Sequence, residues 1–138
     1  MRYLLDTAPW VNGITLPEVL PLRIRRLLDN AEPKGLCSVS LLEAATLHRI
    51  GRLKLAGTLL QLFAAGLAAD VRLLELTPAI AATTSELPND FPGDPFDRAI
   101  VATAVALGLT LVTADPAIRG ARACAVEYYP FRPARRRS

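Results

Sequence analysis

Short apolar runs, separated by segments with helical patterning, constrain the fold of this chain more than any other feature. A run without alternating polar residues is typical of a strand buried on both faces. Such runs lie at residues 3–5, 36–39, 71–76 and 109–112, and a fifth, at 125–128, is expected at a sheet edge. Strands that alternate with helices predict an α/β fold with a mainly parallel sheet of four to five strands.

The segments between these runs carry the helical signals. Helices are predicted from about residue 17 or 21 to 29, from Ser40 onward, and over 55–69, 77–85 and 96–107. Gly108 suits the end of the last helix, because glycine readily adopts the conformation that closes a helix. Residues 7–13 predict a turn or a short helix, and the Pro-, Gly-, Asn- and Asp-rich stretch 87–95 predicts a loop.

Length and charge set the domain organisation. A chain of 138 residues favours one domain, which we place at 1–131. A basic, flexible tail is predicted at 132–138, where four arginines lie. The tail is either a solvated terminus or an arm that touches phosphates. The net charge of +3 permits a polyanionic partner but does not require one.

The two cysteines, Cys37 and Cys124, lie in apolar stretches and show no zinc-like spacing with each other or with the histidine. We therefore expect reduced core thiols and a cytoplasmic protein. The sequence shows no secretion leader, and its apolar runs are too short to span a membrane, so we expect no membrane association.

Four acidic residues fall where a parallel sheet would bring them together. Asp6 and Asp115 follow the first and fourth predicted strands, and Glu43 and Asp97 are expected in the first turns of helices that start at the same edge. Two charges about 4 Å apart repel by ~4 kcal/mol at an effective dielectric of ~20. A divalent cation would remove that conflict, and oxygen ligands favour Mg²⁺ or Mn²⁺.

Each of these acids except Asp6 also has a structural explanation. Ser40 and Glu43 have the spacing of a capping box. Asp94 can cap the helix that begins with Pro95, and Asp97 can then interact with the helix dipole. Asp115 precedes a proline in another capping pattern. Asp6 is harder to explain, because a carboxylate at the end of a buried strand costs several kcal/mol unless a partner satisfies it.

Other activities on a similar sheet fit the residues less well. A phosphatase with an aspartyl nucleophile usually has a second acid two residues later, where this chain has Ala8. A receiver-type phosphoacceptor would need an aspartate at the end of the third strand, and residues 74–77 contain none. A non-catalytic module that binds RNA or a protein partner remains open.

Four segments together resemble the PIN-domain nucleases, and among them the VapC-type toxins of bacterial toxin–antitoxin pairs. They are Tyr-Leu-Leu-Asp-Thr at 3–7, Ser-Val-Ser-Leu-Leu-Glu at 38–43, Gly-Asp-Pro-Phe-Asp-Arg-Ala-Ile-Val-Ala-Thr-Ala at 93–104, and Leu-Val-Thr-Ala-Asp at 111–115. The resemblance implies a three-layer α/β/α sandwich and a Mg²⁺- or Mn²⁺-dependent endoribonuclease. It also implies an RNA substrate, a cognate antitoxin and a homodimer.

The resemblance also assigns roles to residues. The family's catalytic acids correspond to Asp6, Glu43, Asp97 and Asp115, with Asp6, Asp97 and Asp115 as metal ligands. Supporting positions correspond to Thr113, Asp94 and Arg98, where Arg98 serves either structural pairing or RNA contact. Arg119 and Arg122 are candidate RNA contacts. Because residues 12–21 contain two prolines, we expect the family's first helix to be broken or late.

Overall fold

The computed structural model describes residues 1–68 and 70–131, so the tail predicted at 132–138 lies outside the described residues. Its five-stranded sheet has the order β3-β2-β1-β4-β5, and every neighbouring pair is parallel. The strands are β1 (Tyr3–Leu5), β2 (Lys34–Cys37), β3 (Val71–Leu74), β4 (Thr110–Thr113) and β5 (Val126–Tyr128). The predicted α/β class is confirmed, and the fifth strand does lie at an edge.

Seven α-helices connect these strands in the described part of the chain. They are α1 (Thr7–Thr15), α2 (Leu22–Asp29), α3 (Val39–Arg49), α4 (Leu59–Gly66), α5 (Pro78–Glu86), α6 (Pro95–Leu107) and α7 (Pro116–Ala121), with a short 3-10 turn at Pro17–Val19. Gly108 closes α6 in a left-handed conformation, with φ of 65°. Within these residues, no helix has the length and apolar character needed to cross a membrane.

Alternate residues of the central strands point into two separate cores. Leu4 and Leu111 belong to a cluster built with α6 and α7, whereas Leu5 and Val112 belong to a cluster built with α1, α2 and α3. Successive side chains of a strand face opposite sides of a sheet, so the two cores cover its two faces. The three-layer α/β/α sandwich is therefore confirmed.

Two local predictions are wrong. The first helix is neither broken nor late: α1 begins at Thr7, because the Asp6 carboxylate accepts a hydrogen bond from the Thr7 backbone N–H at 2.8 Å. Ser40 does not cap α3, which begins at Val39, so no capping box forms with Glu43. Ser40 is instead buried inside the helix, where its Oγ accepts a hydrogen bond from the Thr7 hydroxyl at 2.9 Å.

The strand order creates an opening at one edge. The chain passes from β1 to β2 and β3 on one side, and β4 and β5 lie on the other side of β1. The helices that leave β1 and β4 therefore diverge at the carboxyl ends of those strands. Such switch points are where open α/β sheets usually bind ligands.

Candidate active site

A cavity of about 520 Å³ lies at this carboxyl edge of the sheet. The four acids expected there line it: Asp6, Glu43, Asp97 and Asp115. They come from four separated segments, namely the ends of β1 and β4 and the helices α3 and α6. The fold thus brings together the four carboxylates that the sequence analysis singled out.

Asp6 lies deepest and is tied to the neighbouring strand. The residue is 7% exposed, and its Oδ2 accepts a hydrogen bond from the Thr113 hydroxyl at 2.8 Å. The Thr113 Oγ1 in turn accepts a hydrogen bond from the Asp115 backbone N–H at 3.0 Å. Thr113 therefore links two of the acids and fixes the distance between the ends of β1 and β4.

The other acids are carried by helices. Glu43 lies in the second turn of α3 rather than in its first turn, because α3 begins at Val39. Asp97 lies in the first turn of α6, and Asp94 caps that helix by accepting the Phe96 and Asp97 backbone N–H groups. One carboxylate oxygen from each of Glu43, Asp94 and Asp97 lies within 4.8 Å of the other two.

Burial and mutual repulsion make the carboxyl groups of Asp6, Glu43 and Asp97 hard to ionise. Burial raises the pKa of Asp97 to about 7, and the four neighbouring carboxylates add to the rise. The pKa of Glu43 is raised by burial and by the charges of Asp6, Asp94 and Asp115, although a hydrogen bond from Thr7 opposes the effect. Burial also raises the pKa of Asp6, although the hydrogen bonds from Thr113 and Thr7 oppose the effect. In the described residues, no lysine or arginine donates a hydrogen bond to any of these three acids.

These donors suit a divalent metal ion. Carboxylate oxygens are the ligands that Mg²⁺ and Mn²⁺ prefer, and a bound cation would reverse the repulsion that raises the pKa values. The closest trio of oxygens, from Glu43, Asp94 and Asp97, differs from the ligand set Asp6, Asp97 and Asp115 that the resemblance implies. Asp94, expected as a cap, both caps α6 and faces the cluster.

Three further residues named in the sequence analysis lie outside the cavity. The Arg98 guanidinium donates to the Thr84 carbonyl at 2.9 Å and approaches the carbonyls of Leu87, Phe91 and Pro92. It therefore holds the loop before α6, which favours structural pairing for this residue. Arg119 lies over the Tyr128 ring at 4.6 Å. Neither Arg119 nor Arg122 lines the cavity.

The cavity also contains polar residues that the sequence analysis missed. Thr7 and Asn12 line it from α1, and Arg52 lines it from the segment after α3. Thr7 and Ala8 share a helical face with Val11 and Asn12, and all of them border the cavity. That pattern was visible in the sequence, but only if residues 7–15 are recognised as a continuous helix.

Comparisons with known proteins agree with this geometry. A family model described as the PIN domain matches residues 3–123. The chain is 38% identical over 106 residues to ribonuclease VapC22 of Mycobacterium tuberculosis, a match that covers 77% of this chain and 81% of that protein.

Solved structures show the same fold. VapBC2 from Rickettsia felis, bound to a DNA fragment from its promoter, superposes with a TM-score of 0.70 at 19% identity, covering 93% of this chain and 98% of the other. DNA-bound VapBC from Salmonella typhimurium superposes with a TM-score of 0.69 at 21% identity over the same shares.

Proposed function

The chain belongs to the PIN-domain family, and from this premise we propose that it is a divalent-metal-dependent endoribonuclease acting as the toxin of a toxin–antitoxin pair. The convergence of Asp6, Glu43, Asp97 and Asp115 in one cavity carries this proposal. The likeness to a ribonuclease over most of both chains supports RNA as the substrate. We propose that residues 1–131 form a single catalytic domain and that the protein acts in the cytoplasm.

Asp6, Asp97 and Asp115 would hold the metal ion, with Glu43 as a further ligand or as the group that orients the attacking water. Asp94 has a carboxylate oxygen close enough to Glu43 and Asp97 to join them. Bound Mg²⁺ or Mn²⁺ would lower the pKa of a coordinated water and neutralise charge on the phosphate oxygens.

The chain's own residues would then position the reactants. Glu43 would orient the water for in-line attack on phosphorus and accept its proton, a role that suits a carboxylate whose pKa is raised. The P–O bond to the 3′ oxygen breaks, and that oxygen takes up a proton from solvent. The products are a 5′-phosphate and a 3′-hydroxyl. Thr113 would keep Asp6 oriented throughout, through its 2.8 Å hydrogen bond.

The partners follow from the same family. We propose a cognate antitoxin that covers the acidic cavity, and the VapBC complexes among the similar structures support a protein partner. We also propose a homodimer, which rests on the family resemblance. Arg119 and Arg122 are proposed to contact RNA outside the cavity, since they follow Asp115 in α7 and just beyond it.

The decisive experiment compares the wild-type chain with Asp97→Asn, expressed in bacteria, by sequencing new RNA 5′ ends. We expect discrete new 5′-phosphate ends with the wild type and none with Asp97→Asn, which removes charge but little volume. Asp90→Asn is the matched control, because Asp90 is exposed and does not line the cavity. Full activity in Asp97→Asn would contradict the assignment.

The alternative is a non-catalytic module on the same fold that binds RNA or a protein partner. Calorimetry with Mn²⁺ separates the two. The nuclease should bind Mn²⁺ at millimolar concentrations or below and lose that binding in Asp6→Asn. A module without catalytic function should show no Mn²⁺ site of that affinity that depends on Asp6.

A further inference from the structure

Among the described residues, the charged side chains that line the acidic cavity are four carboxylates and the guanidinium of Arg52. Arg52 lines the same cavity as Asp6, Glu43, Asp97 and Asp115, and its side chain is exposed. We propose that Arg52 forms a phosphate-binding subsite for the RNA strand, at a phosphate next to the one that is cleaved. This inference rests on the proposed nuclease function and adds a substrate-positioning residue to it.

The backbone around Arg52 is held firmly in place. Its N–H donates to the Leu47 carbonyl at 2.8 Å, and the Leu53 N–H donates to the same carbonyl at 3.2 Å. The Leu53 carbonyl accepts a hydrogen bond from His48 Nδ1 at 2.9 Å. Gly51, with φ of +81°, makes the turn that a residue with a side chain would make under strain. The chain is thus folded back so that Arg52 faces the cavity.

Arg52 and the carboxylates lie at different ends of the cavity, and helix α3 gives their order. Glu43 and Leu47 both line the cavity and lie one turn apart on α3, which is about 6 Å of helix. Arg52 follows the Leu47 end of that helix. The cavity therefore runs from an acidic end, suited to a metal ion, toward a cationic end, suited to a phosphate that a metal ion does not contact.

The guanidinium of Arg52 is available for a ligand. Among the described residues it makes no hydrogen bond and no ion pair, in contrast to Arg98, which donates to backbone carbonyls, and Arg23, which pairs with Glu127. Guanidinium groups bind phosphate oxygens through paired N–H donors and stay charged at any physiological pH. An arginine that served only the negative end of the α3 dipole would need no place in the cavity.

The test measures RNA affinity in the Asp97→Asn background, so that the strand is bound but not cleaved. The probe is a fluorescein-labelled single-stranded RNA of mixed sequence, and anisotropy is recorded over a series of KCl concentrations with Mg²⁺ present. Arg52→Gln should weaken binding about tenfold, because one charge-assisted hydrogen-bonded contact is lost. It should also reduce the slope of log affinity against log salt by about 0.7, the value for one phosphate contact on a single strand.

Two variants make the test specific. Arg52→Lys should restore the salt slope but only part of the affinity, because lysine keeps the charge and loses the paired donors. Arg49→Gln removes another exposed charge near the end of the same helix, outside the cavity, and should leave both quantities unchanged.

Three outcomes would overturn the subsite. If Arg52→Gln weakens RNA binding no more than Arg49→Gln, Arg52 does not contact the strand. If Arg52→Gln changes Mn²⁺ affinity as strongly as RNA affinity, Arg52 acts as a counter-ion of the carboxylates. If the wild type cleaves no RNA and Asp97→Asn binds none, the proposed function itself fails. The first two outcomes are therefore judged only against measurable RNA binding by Asp97→Asn, which distinguishes failure of the subsite from failure of the function.

Discussion

Asp6 and Lys34 are two buried charged residues at opposite ends of neighbouring parallel strands in the same sheet. Asp6 follows β1 at its carboxyl end and is 7% exposed, whereas Lys34 opens the neighbouring strand β2 at its amino end and is 2% exposed. Burial of an unpaired charge costs several kcal/mol, so both positions need an explanation.

The fold satisfies one of these charges and not the other. The Lys34 ammonium group donates a hydrogen bond to the Asn30 carbonyl at the end of α2, where the helix dipole is negative. Asp6 receives two hydrogen bonds but faces Asp94 and Asp115, whose charges raise its pKa further. The comparison teaches that a buried charge with internal partners supports structure, while one surrounded by like charges calls for an external cation.

The largest effect should come from Asp6→Asn. We expect RNA cleavage to fall by more than about a hundredfold, since loss of a proposed metal ligand should exceed the 10–100-fold cost of losing a group that only orients one. The free energy of unfolding without metal should not fall, because asparagine can still cap α1 and carries no charge. Single-turnover cleavage and urea unfolding in EDTA measure the two quantities. An Asp6→Asn protein that cleaves RNA as fast as the wild type would contradict a functional role for the Asp6 carboxylate.

Lys34→Met should have the opposite pattern. We expect the free energy of unfolding to fall by about 1–3 kcal/mol, because the hydrogen bond from the buried Lys34 ammonium group to the Asn30 carbonyl is lost. Cleavage by the folded protein should proceed at the wild-type rate. Urea unfolding tests this, with Lys54→Met as the control, since Lys54 is exposed and should change stability by no more than about 0.5 kcal/mol. If Lys34→Met keeps the wild-type stability but loses cleavage activity, Lys34 serves the active site and not the fold.

Thr113→Val tests how the acidic edge is held together. The hydroxyl links Asp6 to the Asp115 backbone, so its loss should weaken Mn²⁺ binding about tenfold through misplacement of the Asp6 carboxylate. Calorimetric titration with Mn²⁺ measures the effect. Thr110→Val, at the other end of β4, should bind Mn²⁺ as the wild type does, and equal affinities in both variants would refute a role for the Thr113 link.

The last prediction concerns pH. The pKa of Asp97 rises from 3.8 to about 7 in the folded protein. Between these values the folded state holds more protons than the unfolded chain, so stability without metal should fall as pH rises from about 4 to about 7. Mn²⁺ should flatten this slope, because it binds the ionised form. Chemical unfolding across this pH range, with and without Mn²⁺, checks the sign, and a rise in stability with pH in EDTA would contradict it.

Much of this organisation could be predicted from the sequence. Unbroken apolar runs predict buried parallel strands, and parallel strands end at a common edge, so acids that follow them must converge. Asp6 and Asp115 could therefore be placed together from their distances to β1 and β4. The exact helix starts could not: Ser40 has the composition of a cap, but burial against Thr7 outweighed that preference.

The sequence by itself determined the α/β class and which candidate acids follow strands or open helices, because both follow from short-range patterns of hydrophobicity and helix signals. The three-layer arrangement was implied only by the resemblance to the family. Only the tertiary structure decided which polar groups share the cavity. Asn12 and Arg52 reach it because α1 packs beside α3 and the chain folds back after that helix. Asp94 is both a cap and a member of the acidic cluster because α6 begins opposite Glu43. Such contacts depend on the packing of distant segments, which no local pattern encodes.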